Sequence, residues 1–339
     1  MTKFYYGGQA VIEGVMMRGR THMAVAVRAA DGSIIVHDEA LPAAMNRYAR
    51  VPLLRGVALL WESLALGMRS LRFSAAVAAA DEAATQAGTV ATPLDAPARA
   101  ALMNEAGVGV KAAMATSLLF GVGLFFVLPL LLVGWADRWL GAAWISNALE
   151  GAIRLGLLLG YMTLMGRVPE IARVFGYHGA EHKSINAYEA GLPLTPAEVQ
   201  RCPIINPRCG TTFLLIVVVL STLVFVLLGH PPLILRVLSR IVLVPLVAAV
   251  AYEGIRWAAD HYGNPIVRAV LAPGLALQRL TTRPPSDEMV AVGCAALARV
   301  LERDGVLLPA DRAPSATATG GRRLVAADAA SVTPIRNGN

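Results

Sequence analysis

The sequence predicts a mainly α-helical, polytopic membrane protein with about four transmembrane helices and a small N-terminal part containing a β-hairpin. Three observations carry this. Apolar residues make up 56% of the 339 positions and charged residues only 16%, against roughly a quarter charged in soluble chains. Mean hydropathy is +0.56. Four apolar stretches are each long enough to cross a bilayer, which takes ~20 residues.

Residues 1–50 read as an N-terminal cytoplasmic segment. Its start lacks the basic, apolar and small-residue succession of a signal peptide, so the chain is expected to begin in the cytoplasm. Ala24 to Val27 and Ser33 to Val36 are β-prone runs, and Asp31-Gly32 between them signals a hairpin turn. In residues 51–74 an apolar run is interrupted at helical spacing by Arg55, Glu62, Arg69 and Arg72. That pattern suits an amphipathic helix on the membrane or against the spans, since these charges are costly in lipid. Residues 75–111 form an Ala-rich linker, flexible or loosely helical.

The four-helix transmembrane domain occupies residues 112–257. Its spans are Ala112 to Trp135, Ile145 to Gly166, Gly210 to Gly229 and Leu233 to Trp257. A loop over residues 167–209 separates the second from the third. His230-Pro231-Pro232 joins the last two into a tight hairpin. Residues 258–309 are expected to form a cytoplasmic helical segment, and residues 310–339 a disordered tail.

With both termini cytoplasmic, the outer segments hold Arg138 alone among Lys and Arg. The inner segments hold Arg167, Arg173, Lys183, Arg201, Arg208 and many more. This is the positive-inside pattern, with Arg236 and Arg240 near the outer end of the fourth span running mildly against it. It also accounts for the net charge of +7 without nucleic acid, because the basic residues flank apolar runs and form no patch. The expected partner is the lipid bilayer, with a homo-oligomer open. Cys202, Cys209 and Cys294 are too few and too scattered for a disulfide framework.

The strongest chemical motif is His178-Gly179-Ala180-Glu181-His182. Two histidines at i and i+4 share one helix face, so both imidazoles can reach one metal ion, and Glu181 could act on a metal-bound water. The H-x-x-E-H order is that of the inverzincins. A catalytic zinc takes three protein ligands and an open position. Glu253, near the cytoplasmic end of the fourth span, is the expected third ligand; Glu189, Asp260, His261 and Cys209 compete for the place. A structural site from Cys202, Cys209 and the two histidines is a further scheme, and two hydrogen-bonded histidines beneath the membrane are the plain alternative.

In the segment Gln9 to Gly19, Glu13 and Arg18 lie among apolar residues and glycines. It suits a strand and turn that either adds Glu13 or Arg18 to a site or buries them as an ion pair. Glu150 with Arg154, and Arg236 with Arg240, are i, i+4 pairs inside spans. They read as an interhelical salt-bridge cluster, with an ion path as the rival.

These motifs together resemble the YqhQ-like family of bacterial membrane proteins, a domain-of-unknown-function family (DUF1385). The segments that carry the resemblance are Gly7 to Arg18, Arg55-Gly56, His178 to Lys183, Arg208 to Thr211, Tyr252-Glu253 and Pro273 to Thr282. One position departs: Asn206 stands where the family pattern suggests histidine. The resemblance implies a bacterial inner-membrane protein of the kind often labelled a metal-dependent enzyme, and brings no substrate with it.

The functional expectation is a metal-dependent, hydrolase-like enzyme at the cytoplasmic membrane face. His178, His182 and Glu253 would hold a divalent metal, zinc by ligand type, with Cys209 as a further ligand. Glu181 would be the general base, and Arg208, Arg18 and Glu13 would complete the catalytic set. The alternatives are an oligomeric channel or transporter, and a non-catalytic scaffold with a structural metal.

Overall fold

The computed structural model describes residues 4–42, 54–86, 109, 112–113, 115–140, 142–229, 231–306 and 325–326. Most of the tail expected at 310–339 and of the linker after Gln86 lies outside the described residues.

Four strands open the chain: β1 (Gly7–Val11), β2 (Gly14–Arg18), β3 (His22–Arg28) and β4 (Ile34–Ala40). They pair antiparallel in sequence order, and a two-residue strand, Val325–Ala326, adds in parallel beside β4. The β3–β4 hairpin forms at the expected place. Gly32 takes φ 80°, Asp31 accepts from the Ser33 amide at 2.7 Å, and Arg28 ties down the Gly32 carbonyl at 2.8 Å.

Strand side chains alternate between faces, and here both faces are apolar. Val15 pairs with Ala26, and Met17 with Ala24. These four face one core, together with Tyr177, Ile185, Val290 and Leu297. Met16 and its partner Val25 face the other core with Leu66, Phe73 and Val77. Helices therefore cover the sheet on both sides, which explains why β2 and β3 read as nearly continuous apolar runs.

Helix α1 (Leu54–Gln86) covers the second face. It runs well into the stretch read as linker, because an Ala-rich segment has high helix propensity and Val77 has core to bury against. At its other end α1 leaves the sheet and docks on the fourth span: a Cβ at Gly56 would lie 2.9 Å from Ala249 Cα, and Arg55 pairs with Glu253.

Among the described residues, four helices are long and apolar enough to cross a membrane: Ala115–Asp137, Ala143–Met165, Gly210–Leu228 and Ile234–Asp260. We call them α2, α3, α6 and α7. Helix α2 contains a π-helical turn at Gly123–Val127 and continues to Leu140. Leu119, Leu131, Leu223, Leu227 and Val242 point outward, as side chains facing lipid must. Span α3 buries one stripe, Asn147, Glu150, Arg154, Leu158 and Met162, polar in one half and apolar in the other.

The connection between α3 and α6 is itself structured, as α4 (Pro169–Glu189) and α5 (Pro196–Gln200). After α7 come α8 (Pro265–Thr281) and α9 (Asp287–Arg303). Asn264 caps α8 by accepting from the Ile266 amide, and Ser286 caps α9 by accepting from Met289. Helices α4 and α9 lie together on the first face of the sheet, and α8 packs along α6, where a Cβ at Gly274 would meet Thr212 at 2.5 Å.

Candidate metal centre

Helix α4 starts with Pro169 at its first turn and carries Glu170 there, both suited to a helix N-terminus. It positions His178 and His182 one turn apart, with ring centroids 4.4 Å from each other. The third member comes from a span. Cys209 is the N-cap of α6, its sulfur accepting from the Thr211 amide, and it stands 3.3 Å from Nε2 of His178. One potential ligand atom from each of the three lies within 4.8 Å of the others. Bonds of about 2.0–2.3 Å at a tetrahedral zinc separate neighbouring ligand atoms by roughly 3.3–3.8 Å, so the three residues could hold one ion after closing by about 1 Å at most.

The outer shell fixes the chemistry of both imidazoles. Nδ1 of His178 is 2.9 Å from the Thr281 carbonyl, and Nδ1 of His182 is 2.7 Å from the Ile204 carbonyl. A carbonyl oxygen only accepts, so each Nδ1 carries a proton, and in the neutral imidazole the lone pair is then on Nε2. Metal-binding histidines are oriented in this way. Cys209 sits at the N-terminus of α6, where its sulfur accepts from the Thr211 amide at 3.4 Å.

The loop that supplies Ile204 is braced by α4 and α8. Lys183 donates to the carbonyls of Gln200 and Cys202, both at 2.7 Å. Asn186 donates to Pro203 and Ile205. Gln278, fully buried, accepts from the Asn206 amide at 3.0 Å and donates to the Asn206 carbonyl at 2.6 Å and to Thr212 at 2.9 Å. Asn206 is thus a clamp point for the loop leading into Cys209.

Glu181 is almost completely buried. Burial pushes its carboxyl above the usual range, against the smaller opposing effects of nearby His178 and of a hydrogen bond from the Gly8 backbone. Strand β1 passes so close that a Cβ at Gly8 would lie 3.1 Å from Glu181 Cγ and 2.3 Å from the Met16 carbonyl. This contact explains the glycine. Gly179 has a similar reason, since a Cβ there would lie 2.3 Å from the Arg283 carbonyl.

The other expected site residues are engaged elsewhere. The Glu253 carboxylate takes a bidentate pair from Arg55, and the metal-capable group of described residues is His178, His182 and Cys209 without it. An arginine from α1 reaches Glu253 across the span, a pairing that distance along the chain cannot reveal. Arg208 pairs with Glu189 and lies over the Tyr5 ring at 4.4 Å from its centroid. Nη2 of Arg18 donates to both Glu62 carboxylate oxygens, at 2.9 and 3.1 Å. Glu13 binds Arg173 and accepts from Tyr177 at 3.1 Å; the Arg173 guanidinium holds its carboxyl below the usual range. Cys202 is buried within the first core, beside Lys183 rather than at the histidines. Gly8, Gln278 and Thr281 fall within the motif segments but the motifs give them no role, and Ile204 lies outside them. Thr281 and Ile204 act through backbone carbonyls, Gln278 through its buried side-chain amide and Gly8 through packing, and such roles leave little local signature.

A bundle of four membrane-spanning helices with a sheet-and-helix cap, and two histidines and a cysteine gathered at their junction, defines a polytopic membrane protein with a possible metal site. The chain belongs to the family described as "Protein of unknown function (DUF1385)", whose pattern matches residues 51–303. It is 36% identical over 295 residues to a Bacillus subtilis (strain 168) protein named "Uncharacterized protein YqhQ", covering 85% of this chain and 89% of the relative. No solved structure matches the chain.

Proposed function

We propose that this chain is a zinc-dependent enzyme of the hydrolase type, built into a membrane and working at its cytoplasmic face. The observation that carries the reading is the pair of backbone carbonyls that engage Nδ1 of His178 and His182, which leaves Nε2 of each ring as its candidate ligand atom, that of His178 at 3.3 Å from the Cys209 sulfur. Three protein ligands and an open position mark catalytic rather than structural zinc. Bound zinc would supply a water with a pKa near 7. In this scheme His178, His182 and Cys209 hold the ion, and Glu181 takes or returns a proton. Glu253 is left to its arginine. Arg208, Arg18 and Glu13, each engaged by a partner, position the site's surroundings.

The cytoplasmic placement rests on the basic residues of the connections bearing α4 and α5. A purely structural metal is the second reading, favoured by the way one ion would staple α4 to the start of α6. Glu181→Gln separates the two. The enzyme reading predicts a variant that keeps its metal and fails to restore growth or any other phenotype in cells lacking the gene. Retained metal with full complementation contradicts it.

A further inference from the structure

A second polar cluster lies in the other half of the bundle. Glu150 on α3 receives Arg154 at 2.7 Å and Arg240 of α7 at 3.0 Å. One turn earlier on α7, Arg236 approaches Asp137 at 3.7 Å. Arg154 also donates to the Phe125 carbonyl inside the π-helical turn of α2, and Arg240 lies 4.2 Å from the Phe225 ring centroid on α6. All four spans contribute. Phe225 is a helix length of roughly 24 Å from Cys209 at 1.5 Å per residue, so this cluster is separate from the metal centre.

Among the described residues its charges do not balance. Arg154, Arg236 and Arg240 bring three positive charges, against two on Glu150 and Asp137. Arginine stays protonated even where desolvated. Arg236 and Arg240 are each only 8% exposed, and the Nε of each is buried without a hydrogen-bond partner. Burying such donors unsatisfied is costly. The cluster also lies at an interfacial level: Trp135, Trp139 and Trp144 are exposed at this end of α2 and α3, as tryptophans of a membrane boundary are.

We infer that Arg236 and Arg240 form a binding site for a phosphate group at the end of the bundle remote from the metal centre. Arg236 and Arg240 lie one helical turn apart and each holds a buried Nε–H without a partner, so one multi-oxygen anion can take a charge-assisted bond from both. The anion would neutralise the surplus charge and occupy the orphaned donors. A phospholipid headgroup and free phosphate present the same chemistry, and the level of the tryptophans favours the lipid.

The test uses the full chain in mild detergent and in nanodiscs of phosphatidylglycerol or of phosphatidylcholine. Native mass spectrometry reads retained phospholipid, and calorimetry reads binding of inorganic phosphate. The inference predicts stoichiometric phosphatidylglycerol on the wild type, reduced about tenfold or more by R236Q/R240Q through loss of charge-assisted bonds. R236K/R240K keeps the charge for Glu150 and Asp137 but loses both Nε–H donors, so it should retain the fold and still bind more weakly. Binding of inorganic phosphate alone, lost in the same variants, would assign the site to a soluble anion. Wild type that retains no phospholipid and binds no phosphate overturns the inference, as does binding unchanged in R236K/R240K and R236Q/R240Q. The wild-type arms stand even where R236Q/R240Q does not fold.

Discussion

The Cys209 sulfur stands 3.3 Å from Nε2 of His178, although one caps a membrane span and the other lies midway along a helix outside the spans. Gln278 holds this approach in place, because its amide clamps the backbone just before Cys209. Gln278→Leu leaves the buried N–H and carbonyl of Asn206 without that partner, a loss of about 2–3 kcal/mol. Zinc affinity should fall by roughly 10–100-fold, as when outer-shell support is lost. Thermal unfolding in detergent and competition with a zinc chelator measure the two effects.

Spans α3 and α6 meet at a glycine. A Cβ at Gly151 would lie 2.2 Å from Thr222 Cγ2, closer than any real contact. Gly151→Ala should destabilise by about 1–3 kcal/mol, the usual range for overpacking. Adding Thr222→Ala, which removes the nearest atoms, should restore part of that loss; unfolding curves of the single and double variants decide it.

Asp38 anchors α9 to the sheet. Its buried carboxylate accepts from Arg299 at 2.8 Å and Arg303 at 2.6 Å. Burial pushes its carboxyl up, but the two arginines together outweigh that and hold it below the usual range. A carboxyl depressed on folding contributes stability above its unfolded pKa and loses it as pH falls through the folded value. The contribution is therefore constant near neutrality, begins to fall near about pH 4 and is lost progressively as pH drops further. Asp38→Asn should lower stability by about 2 kcal/mol at pH 7 and flatten the acid limb of a stability–pH curve.

Orientation has its own test. Reporter fusions after the described end of α9 and in the connection between α2 and α3 should report opposite sides, with the first in the cytoplasm. The reverse assignment would remove the cytoplasmic placement of the site.

Much of the architecture is legible because membranes and hairpins leave local signatures. Twenty apolar residues read as a span wherever they occur, and Asp31-Gly32 reads as a turn. The histidine pair is legible for the same reason, since i, i+4 spacing on one helix is a local fact. Glu253 shows the limit. Its closeness in depth to the histidines suggested a ligand, yet α1 brings Arg55 to it, and only the packing of Gly56 on Ala249 reveals that helix's path. Glu13 and Arg18 likewise each find a partner on a different helix. Helix α1 outruns its expected end because polar interruptions mark an amphipathic face better than they mark a terminus.

The most direct test of the central claim is the metal content of the purified wild-type chain beside Cys209→Ser and the His178→Ala/His182→Ala double variant, by elemental analysis. The account predicts about one zinc per chain in the wild type, strongly reduced in Cys209→Ser and absent in the double variant. Wild type that binds no zinc after reconstitution, or a double variant that retains it, would contradict the account.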